Sequence, residues 1–190
     1  MNVNLIYYTP LGVADRAIGK CWDKQKKEVD KERMYRVGNK FKHSSTLEHI
    51  NYTFDIDGIS RACLQELARH RHTSLSVKST RYTLKELKEA KYLTDFYVET
   101  GNDAVDDFVY NAIENVQEAL QRGISNDIVK YCIPEAYKTS LVWTINMRSL
   151  QNFLKLRTSK AALWEIQELA REIFNKLPEA HKFMLEEFVR

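Results

Sequence analysis

A chain of 190 residues is the length of one domain, and at this size roughly 70 % of the unfolded surface is buried on folding. The 44 % hydrophobic and 11 % aromatic content excludes disorder, and six Gly with three Pro exclude collagen-like or linker-rich chains. A net charge of +3 is too small by itself to mark a nucleic-acid binder, so the placement of charge matters more than its sum.

Val3 to Tyr8 reads as a short strand, closed by Thr9-Pro10. Segments 11–22 and 23–37 read as helices; the second is highly charged, as a solvated surface helix would be, and Gly38-Asn39 ends it. Ser45-Thr46-Leu47-Glu48 fits a capping box and predicts a helical turn. Ile50, Tyr52, Phe54 and Ile56 alternate with polar residues, which predicts a strand with one buried face, stopped by Asp57-Gly58. Helical spacing returns over 59–71, a β-like stretch follows at 74–82, and helices are expected at 83–91, 102–122 and 125–132. Leu141 to Ile145 is either a buried strand or the start of the next helix. Helices at 148–157 and 160–177 and a last one after Pro178 complete an α+β chain, mostly helical, with a small antiparallel sheet. The N-terminus turns polar too soon for a signal peptide, and no apolar run reaches the ~18–20 residues of a membrane span. A cytoplasmic protein with no membrane partner is expected.

Positive charge concentrates in two acid-free windows. Leu67 to Lys85 holds Arg69, Arg71, Lys78, Arg81 and Lys85 with two histidines and six Ser or Thr residues; Ala136 to Trp164 holds Lys138, Arg148, Lys155, Arg157 and Lys160. Either these cations pair with acids distant in sequence, or they await a polyanion whose phosphate oxygens an Arg fork matches. No Gly-rich phosphate loop is present, so a nucleotide would be held by side chains. Arg148, Asn152 and Lys155 share one face of the helix at 148–157, while Arg157 falls on its apolar stripe. There it either reaches solvent from the helix end or is held in a pocket. His43, Glu48 and His49 have the spacing of no standard metal site, and none is expected. Three widely spaced cysteines without a CxxC imply no disulfide framework or cysteine-based zinc site; Cys132 reads as a small buried hydrophobe rather than a nucleophile.

The string Arg69-His70-Arg71, continued to Ser79 and then Arg81-Tyr82, resembles the signature of the flavin-dependent thymidylate synthases. His43 to His49 is similar to that family's upstream element, Asn146 to Arg157 to its downstream Asn-x-Arg-Ser-Leu helix, and Trp164 to Gln167 follows in order. The resemblance implies one α+β domain over residues 1–190 that methylates dUMP to dTMP. Methylenetetrahydrofolate would give the carbon, and FAD, reduced by NADPH, the hydride. It implies a homotetramer with active sites shared between subunits, and no nucleic-acid partner. Carried over by position, Ser45, Arg69, His70, Arg71, Asn146, Arg148 and Asn152 would contact FAD. Glu66, Arg69, Val77, Lys78, Ser79, Thr80, Arg81, Lys130 and Arg157 would contact dUMP, with Arg157 activating the uracil.

Four features depart from the commoner family pattern. Glu66 stands for a frequent Gln, Ser76-Val77 for Asn-Glu, Lys130 for Arg, and Ala161 for a His found in some members. A carboxylate beside a phosphate is unfavourable unless an Arg intervenes, and Lys130 keeps a charge without the fork. Two other readings compete: a non-catalytic nucleotide- or RNA-binding module, and a methylase with Cys132 as nucleophile. The first would interleave aromatics with its cations, and none stands between Arg69 and Arg81.

Overall fold

The alternation of apolar and polar residues becomes a four-stranded antiparallel sheet in the computed structural model, which describes residues 1–24 and 27–190. In chain order the elements begin β1 (Asn2–Tyr8), α1 (Leu11–Cys21), α2 (Lys31–Tyr35), β2 (Asn51–Ser60), α3 (Arg61–Ala68), β3 (Thr73–Val77) and α4 (Thr80–Thr83). They continue with α5 (Lys85–Lys88), α6 (Asp103–Gln121), α7 (Asn126–Val129), β4 (Lys138–Asn146), α8 (Met147–Arg157), α9 (Trp164–Lys176) and α10 (Glu179–Lys182). The strand order is β1-β2-β4-β3, so the two longest strands are central.

One face of the sheet is covered and the other is not. Tyr52, Phe54 and Ile56 of β2 and Leu141, Trp143 and Ile145 of β4 point into a core completed by α1, α8 and α9. Ser74, Ser76 and Val142 are exposed, and the Thr53 and Thr144 hydroxyls meet at 3.0 Å. A second apolar cluster joins α5, α6 and α7 through Leu87, Ile113, Val116 and Val129. Each buried Leu, Ile or Val side chain is worth about 1.5–3 kcal/mol, so both clusters are substantial.

Several boundaries differ from the sequence reading, for physical reasons. β4 settles the open choice at 141–145 as strand, with Val142 turned outward. β2 runs through Gly58 instead of stopping: a glycine at φ +74° carries the chain across a register shift between Asp57 and Ile59. α3 ends at Ala68, so Arg69 to His72 leave the helix, and β3 ends at Val77. The 83–91 helix shrinks to the last residue of α4 and the four of α5, and 160–163 precede α9 outside any helix. In the charged segment 23–37, helix begins only after Asp30, whose side chain accepts the Arg33 N–H at 2.9 Å; residues 25 and 26 lie outside the described chain. That segment is not uniformly solvated, since Arg33 turns inward to Asp15 at 2.7 Å and Met34 is fully buried. Gly38-Asn39 does not end the helix there but lies within a π-helical turn, Arg36–Lys40. No helix among the described residues is long and apolar enough to cross a membrane.

Candidate functional site

Strand register brings distant segments to one end of the sheet. Thr73, first in β3, lies opposite Ile145, near the end of β4, and Asn51, first in β2, lies opposite Asn146. The residues before β2, those before β3 and the start of α8 therefore converge. His70, Arg71, Asn146, Arg148 and Asn152 line one cavity of about 480 Å³, together with Glu48, His72 and Ser149. A second cavity of about 590 Å³ shares His70, Arg71, His72 and Asn152 with the first, so the two form one groove. Arg69, Lys155, Arg157 and Arg190 lie along this second part, beside Ala161.

The local chemistry shows how each side chain is held. Asn146 caps α8: its Oδ1 accepts the Ser149 N–H at 2.8 Å, and the cap leaves its amide hydrogens and a second oxygen lone pair for other partners. The capped helix turns its positive end toward the first cavity. Arg148 donates to Glu48 Oε1 at 2.5 Å. Glu48 therefore does not close a capping box; residues 44–49 form a 3₁₀ turn with no side-chain cap, and Ser45 is exposed on it without lining either cavity. Arg71 and Lys155 have no carboxylate partner among the described residues. Pairing with acids distant in sequence thus accounts for Arg148 and leaves Arg71 and Lys155 over.

Arg157 is pocketed, not solvated. Its guanidinium meets His70 Nε2 at 2.9 Å, Glu66 Oε2 at 2.5 Å and the Glu66 carbonyl at 3.0 Å. An Arg thus does intervene at Glu66. The His70 ring packs edge-on to Phe153, centroids 5.0 Å apart. Burial, and then the Arg157 charge, pushes the His70 pKa down to about 4. Arg69 points outward, 3.7 Å from Glu66.

The remaining candidates sit elsewhere. Val77 to Arg81 lie at the opposite end of β3, where the Lys78 N–H donates to the Ser140 carbonyl at 2.8 Å. Arg81 pairs with Asp127 through two contacts, at 2.7 and 3.2 Å, and Lys78 with Glu86 at 2.6 Å. Lys130 follows α7 and is exposed, as is Cys132, which is not the buried hydrophobe expected. Five residues of strand span roughly 17 Å, so within one chain this group is separated from the groove. Sequence reasoning assigned no role to His72, Lys155, Ser149 or Arg190 in the groove. The helical spacing of Lys155 from Asn152 was the available signal for that residue.

The family described as thymidylate synthase complementing protein matches residues 4–181. A flavin-dependent thymidylate synthase from Campylobacter jejuni (strain RM1221) is 57 % identical, over 98 % of this chain and 96 % of its own. One from Helicobacter pylori (strain 26695) is 46 % identical, with both chains fully covered. A crystal structure of Helicobacter pylori thymidylate synthase X with FAD and dUMP is similar across the whole of both chains, with a TM-score of 0.95 at 45 % identity.

Proposed function

The chain belongs to the flavin-dependent thymidylate synthase family, and on that footing we propose that residues 1–190 form one unit that methylates dUMP to dTMP. Methylenetetrahydrofolate gives the carbon, and NADPH supplies reducing equivalents. The observation that carries this reading is the convergence of His70, Arg71, Asn146, Arg148 and Asn152 on one cavity that opens into the Arg157 cavity.

The donor set fits FAD. Arg71, Arg148, His72, the Asn152 amide and the α8 N-terminus together suit a diphosphate, whose oxygens want forked or polarised N–H donors. Arg69 and His70 extend that surface, and Ser45, which lines neither cavity, would add a hydroxyl from the exposed turn before β2. When bound, FAD supplies the hydride. Arg157 meets the uracil, where a half-dry guanidinium stabilises negative charge developing on the ring. The stretch Val77 to Arg81 meets dUMP, with Ser79 and Arg81 at its phosphate end, and Lys130 adds a cation for that phosphate.

Arg157 and Arg81 stand at opposite ends of β3 in one chain, so a complete dUMP site draws on more than one subunit. A homotetramer with shared sites meets that need. The test is dTMP formation from dUMP, methylenetetrahydrofolate, NADPH and FAD. The wild type is expected to turn over, and Arg157→Ala to lose most activity while keeping its flavin absorption. Full turnover by Arg157→Ala, or none by the wild type, would sink the reading.

A further inference from the structure

Arg157 is the most heavily hydrogen-bonded cation lining the groove. A guanidinium carries five N–H donors. Nε–H goes to His70, one Nη1–H to the Glu66 carboxylate, and one Nη2–H to the Glu66 carbonyl. Glu66 thus grips both terminal nitrogens, once by side chain and once by main chain. Two N–H donors stay available, one on each terminal nitrogen.

We propose that Glu66 is the positioning residue of Arg157: it fixes the plane of the guanidinium so that the two remaining donors meet the substrate, and its carboxylate tempers the attraction of that cation for an anionic substrate. This deepens the reading above and rests on Arg157 facing the uracil. His70 is the third fixed point. Its Nε2 accepts from Arg157, so the ring is neutral and carries its proton on Nδ1.

Two observations favour this role over simple charge balance. Glu66 lies in the last turn of α3, where a carboxylate opposes the helix dipole, so local helix stability is not what it serves. Arg157 is also held from three directions, although one carboxylate contact would suffice to neutralise it.

The experiment is steady-state kinetics on flavin-loaded Glu66→Gln and Glu66→Asp, with dUMP affinity read separately from the flavin spectrum. Glu66→Gln removes a negative charge near the substrate and loosens the guanidinium. Its kcat is expected to fall about tenfold or more while dUMP binds about two- to fivefold more tightly, because misplacement costs rate and the lost repulsion aids binding. Glu66→Asp keeps the charge but shortens the reach, so kcat falls without tighter binding. Damage to the fold alone would weaken binding and lower kcat together, and that result would overturn the proposal. So would an unchanged kcat in Glu66→Gln. A readout on the wild type needs no variant: nitrogen NMR of ligand-free protein should show His70 protonated at Nδ1, and protonation at Nε2 refutes the arrangement. Arg157→Ala separates the failures. Full turnover there removes the functional reading, whereas an inactive Arg157→Ala beside a fully active Glu66→Gln removes this proposal alone.

Discussion

Arg81 already holds an anion before any substrate arrives. Its two contacts to Asp127 lie on the surface, where solvent screens an ion pair to little net worth, so a phosphate dianion can displace the carboxylate. Arg81→Ala is expected to weaken dUMP binding about tenfold or more, since a charge-assisted contact to phosphate is lost, and to leave FAD bound. Titrating dUMP against the flavin spectrum decides it, and unchanged affinity refutes the assignment to phosphate. The cysteines give a contrasting prediction. Cys63 is fully buried, and burial, then the Glu165 charge, pushes its thiol up and away from the nucleophilic thiolate. Cys132 is exposed in a short 3₁₀ turn, away from the groove. Cys132→Ala should therefore keep turnover, and Ser79→Ala should keep measurable turnover with poorer dUMP binding. An inactive but folded Cys132→Ala would mean that a covalent route through sulfur had been missed.

Among the elements, α10 offers a pH test. Its His181 is buried, with Nδ1 2.9 Å from the Tyr52 hydroxyl and the ring edge-on to Tyr8. Burial, then the Lys31 charge, pushes its pKa down to about 4. An unfolded histidine takes a proton near pH 6.5, so between 6.5 and 4 the unfolded chain binds more protons than the folded one. Stability is full above pH 6.5 and is lost as pH falls toward 4, by about 3 kcal/mol at most for this group. His70 acts in the same window and sign. Denaturant midpoints at pH 7, 5.5 and 4.5 should fall steadily in the wild type, and less steeply in a His181→Gln variant that starts less stable. Equal slopes would refute the role of His181. Elements differ in how far the sequence announces them. The period of two in β2 and the shared face of Arg148, Asn152 and Lys155 are local patterns, readable in one strand or helix. The end of α3 at Ala68 was not readable, because 59–71 keeps helical spacing and only the pairing of β3 with β4 pulls the following residues into extended chain. The capping box at Ser45 failed for a related reason: Glu48 finds Arg148, 100 residues away. The Arg157–Glu66 and Arg81–Asp127 pairs span 91 and 46 residues, and no local pattern encodes them.

At the scale of the molecule, the sheet separates the two arginines that the proposed dUMP site needs together. One end of β3 carries the groove with Arg157, the other carries Arg81, and the strand between them pairs along its length with β4 and cannot fold back. The face bearing Ser74, Ser76 and Val142 is uncovered in one chain. If the site is assembled across subunits, Arg157 and Arg81 in a given site belong to different chains. Assayed at dUMP too dilute for Arg81→Ala to bind, the two impaired variants should then rescue each other. Co-expressing Arg157→Ala with Arg81→Ala, and purifying mixed tetramers by two tags, puts both wild-type arginines together in about a quarter of sites under random mixing in a symmetric assembly. Restored dTMP formation near that level is expected, with light scattering reporting a tetramer before and after mixing. If both arginines came from one chain, every mixed site would lack one of them, and activity would stay at the level of the separate variants. That result, or an active monomer holding FAD at full affinity, would place the whole dUMP site within a single chain and would contradict the separation that β3 imposes.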